Sequence, residues 1–160
     1  MKYLIIVFSL LTVLACKQPA NDSKQLQQRI DSLEKKLEAA YRPGLGEFMS
    51  GIQVHHAKLW FAGLHENWPL ADFEVHEIME SLDDINSYCS DRSEIKQLPM
   101  INGPLDSVNK AINVKDLSRF KTAFTLLTNT CNNCHKTTDH GFNVIKIPDS
   151  PPLSNQDFGH

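Results

Sequence analysis

Apolar positions recur at helical spacing along most of the chain. In residues 45–65, Leu45, Phe48, Ile52, Leu59 and Ala62 form one stripe, and Met49, His56, Trp60 and Gly63 form a second beside it. Together they make the wide apolar face of a helix packed inside a bundle. Residues 69–88 predict a second helix: Pro69 suits a first turn, and Phe73, Ile78, Leu82 and Ile85 give its inner face. A connection, "CSDRSEIKQLPMING", leads to Pro104, which opens a third helix with Leu105, Val108 and Ile112 facing inward. Asn113 to Asp116 supply a cap-like start for a fourth, where Leu117, Phe120, Phe124, Leu127, Cys131 and Cys134 recur at intervals of three and four. No strand pair is visible in the alternation. Beyond Gly141 the chain is Pro-rich and irregular, although Phe142, Val144, Ile145 and Ile147 could pack down. The pattern predicts an all-α fold, an up-down-up-down four-helix bundle over residues 45–141 with an irregular tail, 142–160, packing on it.

The N-terminal part reads differently. "MKYLIIVFSLLTVLAC" has Lys2 and then an apolar run from Leu4 to Ala15. That run is too short to span a bilayer and suits a signal peptide, residues 1–15. "VLAC" resembles a bacterial lipobox, with Leu14 where a small residue is more usual; the resemblance implies that Cys16 becomes the lipidated first residue of the mature chain. No aspartate follows Cys16, which implies periplasm-facing attachment to the outer membrane of a Gram-negative bacterium. Residues 16–44 then read as a tether. Within it Leu26, Ile30, Leu33, Leu37 and Ala40 form a short heptad stripe that ends before Arg42-Pro43-Gly44. Two to three repeats predict an amphipathic spacer helix, with an oligomerising stalk, and so a homo-oligomer, as the alternative.

Composition narrows the field modestly. The chain has 160 residues, a formal net charge of -3 and 41% hydrophobic residues. These values suit one ordinary domain and give no basic surface for nucleic acid. No internal repeat of solenoid length appears.

The candidate chemistry lies at the end of the fourth helix, in "TNTCNNCHKTTDHGF". Cys-x-x-Cys-His is the attachment signature of c-type haem. Two thiols form thioethers with the haem vinyl groups, and the adjacent imidazole reaches the iron as proximal ligand. Cys131, Cys134 and His135 take those roles. A structural zinc site would want a second ligand pair, but Cys89 stands alone and reads as a free buried thiol. A redox pair would want a βαβ context. The sequence therefore predicts one covalent haem c.

A Cys-x-x-Cys-His motif near the end of the last helix of a four-helix bundle resembles the class II cytochromes c, the cytochrome c-prime group. The resemblance covers roughly residues 45–140 and rests on architecture and motif position. It implies a sixth iron ligand, or an apolar blocking group, from the first turns of the first helix. Met49 stands there. His56, about 10 Å further along the same stripe by helix rise, is the second choice, and His55 the third. Met100 is expected near the same end on a loop, and Met79 is mid-helix. Glu74, His76 and Glu77 do not match a metal-binding pattern; a solvated face, or salt bridges to Lys58 and its neighbours, is expected there. A His/Met-ligated haem implies a one-electron carrier whose partners are periplasmic or membrane redox proteins, not an enzyme. The alternatives are a five-coordinate protein that binds nitric oxide or carbon monoxide, and a helical lipoprotein whose cysteines are purely structural.

Overall fold

The computed structural model describes residues 20–38, 40 and 42–159. The expected signal peptide, the lipobox-like stretch and Cys16 lie outside the described residues. Two compact units divide the chain near Tyr41. The first contains α1, Ala20–Glu38, with Asp22 in its first turn and Lys35 and Lys36 in its last. Those charges complement the helix dipole. No described helix is long and apolar enough to cross a membrane.

The second unit holds α2 (Leu45–Leu64), α3 (Trp68–Tyr88), a 3-10 run (Ser93–Ile101), α4 (Asn102–Asn113) and α5 (Leu117–Thr137). The described residues are all-helical, with no strand. Local chemistry sets the boundaries. The Asn67 side chain accepts a hydrogen bond from the Leu70 amide at the start of α3, with Pro69 in the first turn. Asp116 does the same for Arg119 at the start of α5. Both are N-caps that satisfy an otherwise orphaned donor. Helices α2, α4 and α5 stop alike, with Glu66, Lys115 and Asp139 in left-handed backbone at φ 55°, 55° and 62°. The next amide in each case reaches back over the turn, Asn67 to Ala62, Asp116 to Ala111 and His140 to His135. This is the Schellman closure, built here on residues other than glycine.

Two expectations need correction. The connection after Tyr88 is not simply a loop: residues 93–101 form a 3-10 run, and α4 begins before Pro104. Leu98 and Ile101 explain it, because a spacing of three puts both on one side of a 3-10 helix, where they are buried. Phe73 is 53% exposed and not part of the inner face of α3. The buried stripe is Ala71, Val75, Ile78, Leu82 and Ile85, and Phe73 lies half a turn away from it.

Helix α2 packs on α3, α4 packs on α5, α3 meets α4 and α2 meets α5, while the 3-10 run touches α3, α4 and α5. The core centres on Leu59, Ala62, Val75, Ile85, Val108, Phe120, Phe124 and Leu127. Trp60 lies across Phe124 with ring centroids 4.9 Å apart, and Trp68 meets Phe120 edge-on at 6.1 Å. Gly63 lets the helices approach there. A Cβ at that position would sit 2.1 Å from the Phe120 ring.

The tail is tied to the end of α5. Asn132 donates to the Ile145 carbonyl and accepts from the Ile145 amide, both at 2.7 Å. The residues expected to pack divide by alternation. Ile145 and Ile147 are half-buried, whereas Phe142 and Val144 are exposed. Phe142 lies in the turn after α5, and between Val144 and Ile147 the non-helical chain puts successive side chains on opposite sides, so Val144 points away from the helices that Ile145 and Ile147 face. Further on, Phe158 is buried against Phe61.

Candidate functional site

The end of α5 and the first turns of α2 share a cavity of about 360 Å³. That volume is in the range of small-molecule and cofactor sites. Helix α2 contributes Leu45, Met49, Ile52 and His56 to its lining, and α5 contributes Cys131, Cys134 and His135. Arg92, Glu94 and Leu98 come from the 3-10 run and the residue before it, and His140, Asn143 and Ile145 from the chain after α5. A smaller void of about 40 Å³ shares Met49, His56 and the motif residues and extends to Ile78, Leu82, Ile101 and Leu127.

Spacing explains the convergence on α5. Positions 131, 134, 135 and 138 differ by three, one and three, so they occupy one face of the helix. All four line the cavity. Cys134 is buried, Cys131 is half-buried, and both are free thiols. Burial pushes the Cys131 thiol up to about 11 and raises that of Cys134 as well. A disulfide oxidoreductase needs the opposite, an attacking thiol lowered toward neutrality.

His135 is oriented by the chain that follows it. The Schellman turn at Asp139 and the Asn143 amide's bond to the His140 carbonyl, 2.8 Å, bring the chain back past the helix end. There the Asn143 carbonyl lies 2.7 Å from His135 Nδ1. A carbonyl can only accept, so Nδ1 carries the proton and Nε2 of the neutral ring keeps its lone pair. A metal-ligating imidazole is held in this way, by a backbone acceptor on its other nitrogen.

Met49 is half-buried and lines both cavities. His56 lines both too but is anchored at one nitrogen. Its Nε2 lies 2.9 Å from Thr128 Oγ1, and that hydroxyl donates to the Phe124 carbonyl, also at 2.9 Å. Since Thr128 has spent its proton, His56 is the donor between them, and its Nδ1 keeps a lone pair. The ring packs on Phe124 at 4.4 Å between centroids. Burial lowers its pKa to about 4, so it is neutral at ordinary pH.

The remaining candidates fall elsewhere. His55 lies outside the cavity lining, its Nδ1 2.7 Å from Glu74 Oε2 and its Nε2 3.9 Å from Glu77. Glu74 is fully buried, which corrects the solvated-face reading, and Lys58 Nζ stands 3.3 Å from its Oε1. That contact is ionic without the alignment of a hydrogen bond. His76 is exposed and bonds the Asp72 carbonyl. Met100 and Met79 pack against the core and line neither cavity. Cys89 is a buried free thiol, its Sγ 3.9 Å from the Pro43 carbonyl. Among the described residues, no three His, Cys, Asp or Glu side chains gather as an ion site.

Several cavity residues carried no signal in the sequence. Arg92 binds Glu94 at 2.6 Å, and that hydrogen bond holds the Glu94 carboxyl down at about 2. Neither residue belongs to a motif. Asn143 acts through its backbone carbonyl, so its side chain could not have announced it. His140, which no motif marks, also lines the cavity, with Nδ1 2.6 Å from the Thr138 carbonyl. Comparison with protein-family models, curated proteins and solved structures gives no match to this chain.

Proposed function

We propose that this chain is a c-type cytochrome, a membrane-anchored one-electron carrier holding one covalent haem. One observation carries the reading: Cys131, Cys134 and His135 share a single, largely apolar cavity with Met49, and His135 is tied at Nδ1 so that Nε2 is free. The residues present fit the group. Cys131 and Cys134 would supply the thioether sulfurs, and His135 Nε2 and the Met49 thioether would hold the iron, with His56 second choice to Met49. When bound, the haem supplies a one-electron couple whose potential its axial ligands and surroundings tune.

The protein's own contributions follow from its side chains. The Asn143 carbonyl fixes the His135 tautomer and makes Nε2 a better donor. The Met49 thioether is a soft ligand that favours the reduced state. Leu45, Ile52, Leu98 and Ile145 give the cavity much of its apolar lining. Arg92, at the same lining, is already paired with Glu94, so the two bring a neutral ion pair to the cavity. With His135 and Met49 both holding the iron, the chain would leave it no vacant place for a substrate, which suits a carrier. The partner is another periplasmic or membrane redox protein met through a small transient interface.

The architecture belongs to the same reading: helices α2 to α5 run up-down-up-down in the manner of class II cytochromes c, which puts the start of α2 beside the end of α5. So does the location, with residues 1–15 removed, Cys16 lipidated and the domain facing the periplasm. Spectra of the mature chain, produced with a cytochrome c maturation system, test the proposal. Low-spin bands are expected, with a weak sulfur-to-iron band that Met49→Ala abolishes and His56→Gln retains. A high-spin spectrum that shifts with carbon monoxide would replace the carrier by a gas-binding protein.

A further inference from the structure

Helix α1 presents an exposed apolar stripe. Leu26, Ile30, Leu33 and Leu37 are 60%, 42%, 63% and 64% exposed. Every described side chain from residue 22 to 37 is exposed. With Ile30 and Leu37 at heptad position a, Leu26 and Leu33 fall at d, Arg29 and Lys36 at g, and Gln27 and Glu34 at e.

The charges say what covers the stripe. Arg29 has Gln25, Leu26, Ser32 and Leu33 at the positions three and four away, and Glu34 has Ile30, Asp31, Leu37 and Glu38. Neither finds an opposite charge on its own helix, where such pairs form only at those spacings. They stand five apart, the g-to-e′ offset across a parallel two-stranded coil. An in-register second copy would pair each Arg29 with the other copy's Glu34, flanking the Ile30 and Leu33 layers on both sides. A β-branched residue at a beside leucine at d also favours two strands. The antiparallel arrangement that keeps all the apolar layers matched instead sets Arg29 against Lys36. We propose that α1 is a dimerisation element, pairing in parallel and in register with α1 of a second copy. A parallel pair also directs both N-termini the same way, as two chains anchored in one membrane would need, and anchoring would raise the effective concentration of so short a coil. The inference does not depend on the haem.

Disulfide trapping in the full chain, in the cells that make it, tests this. Leu33→Cys at d should give a linked dimer on mild oxidation, at least about tenfold more than Ser32→Cys on the outer face, because disulfide geometry is restrictive. Adding Arg29→Glu to Leu33→Cys should cut the yield several-fold, and adding Glu34→Arg as well should restore it. Equal linking through Ser32→Cys and Leu33→Cys, or no linking through either, would overturn the dimer. Efficient linking between an Ile30→Cys chain and a Leu33→Cys chain, without Leu33→Cys homodimers, would overturn the parallel register.

Discussion

His56 and Met49 occupy one face of α2 and meet the same cavity, yet their surroundings fit them for different work. Met49 is half-buried with an unbranched, adaptable side chain. His56 is 4% exposed and donates to Thr128, so it is built into the α2–α5 contact. Its burial has a pH consequence in the haem-free chain. The folded state holds it near 4, below its ordinary 6.5. Between those values the unfolded chain takes up a proton that the folded chain refuses. Stability is therefore complete above about 6.5 and falls as pH drops toward 4, by about 3 kcal/mol in all at roughly 1.4 kcal/mol per pH unit. Urea unfolding across that window should show the slope, and His56→Gln should remove most of it. An unchanged slope in the variant would mean that other groups are responsible. The convergence of Cys131, Cys134 and His135 on one cavity was legible at this scale from their spacing, since positions three and four apart share a helix face. Glu74 was legible in part: a salt bridge to Lys58 was among the expectations, whereas its full burial and its contact with His55 appear only once the helices are packed.

At the scale of elements, the strap after α5 controls the site. Asn132, one of the two residues between the motif cysteines, pins Ile145 through both its backbone groups, and Asn143 two residues earlier holds His135. Asn132→Ala removes two hydrogen bonds and leaves a half-buried backbone pair unsatisfied. The cost should be about 1–3 kcal/mol in thermal or urea unfolding. If the chain carries the proposed haem, the same variant should shift its potential, since it loosens the acceptor on His135. A potential equal to that of the unsubstituted protein would show that the strap is structural only. The helices themselves were readable from apolar spacing. The strap was not, because its work is done by backbone carbonyls and one asparagine in a motif where any residue is allowed. The 3-10 run escaped for a related reason: Leu98 and Ile101 are too few to announce a period.

Across the whole molecule, the contact between α2 and α5 decides whether the first and last helices can face each other around the cavity. Gly63 is its closest point. Gly63→Ala would drive a methyl into the fully buried Phe120 ring, which Trp60 and Trp68 hold in place. Overpacking of this kind costs about 1–3 kcal/mol, and haem loading should fall along with the melting temperature. Full loading and an unchanged melting temperature would mean that Phe120 has room to turn. The sequence marked Gly63 only as a member of an apolar stripe, and the need for a glycine there appears once Phe120 comes from the other end of the chain.

The central claim is that "CNNCH" carries a covalent haem, and the most direct measurement is the mass of the denatured protein. Produced in cells that possess a haem-attachment system, the chain should retain the mass of one haem after denaturation and acid extraction. The Cys131→Ser, Cys134→Ser double variant should lose it. A mass equal to that of the bare polypeptide, with the motif intact and attachment proven on a control cytochrome, would contradict the account.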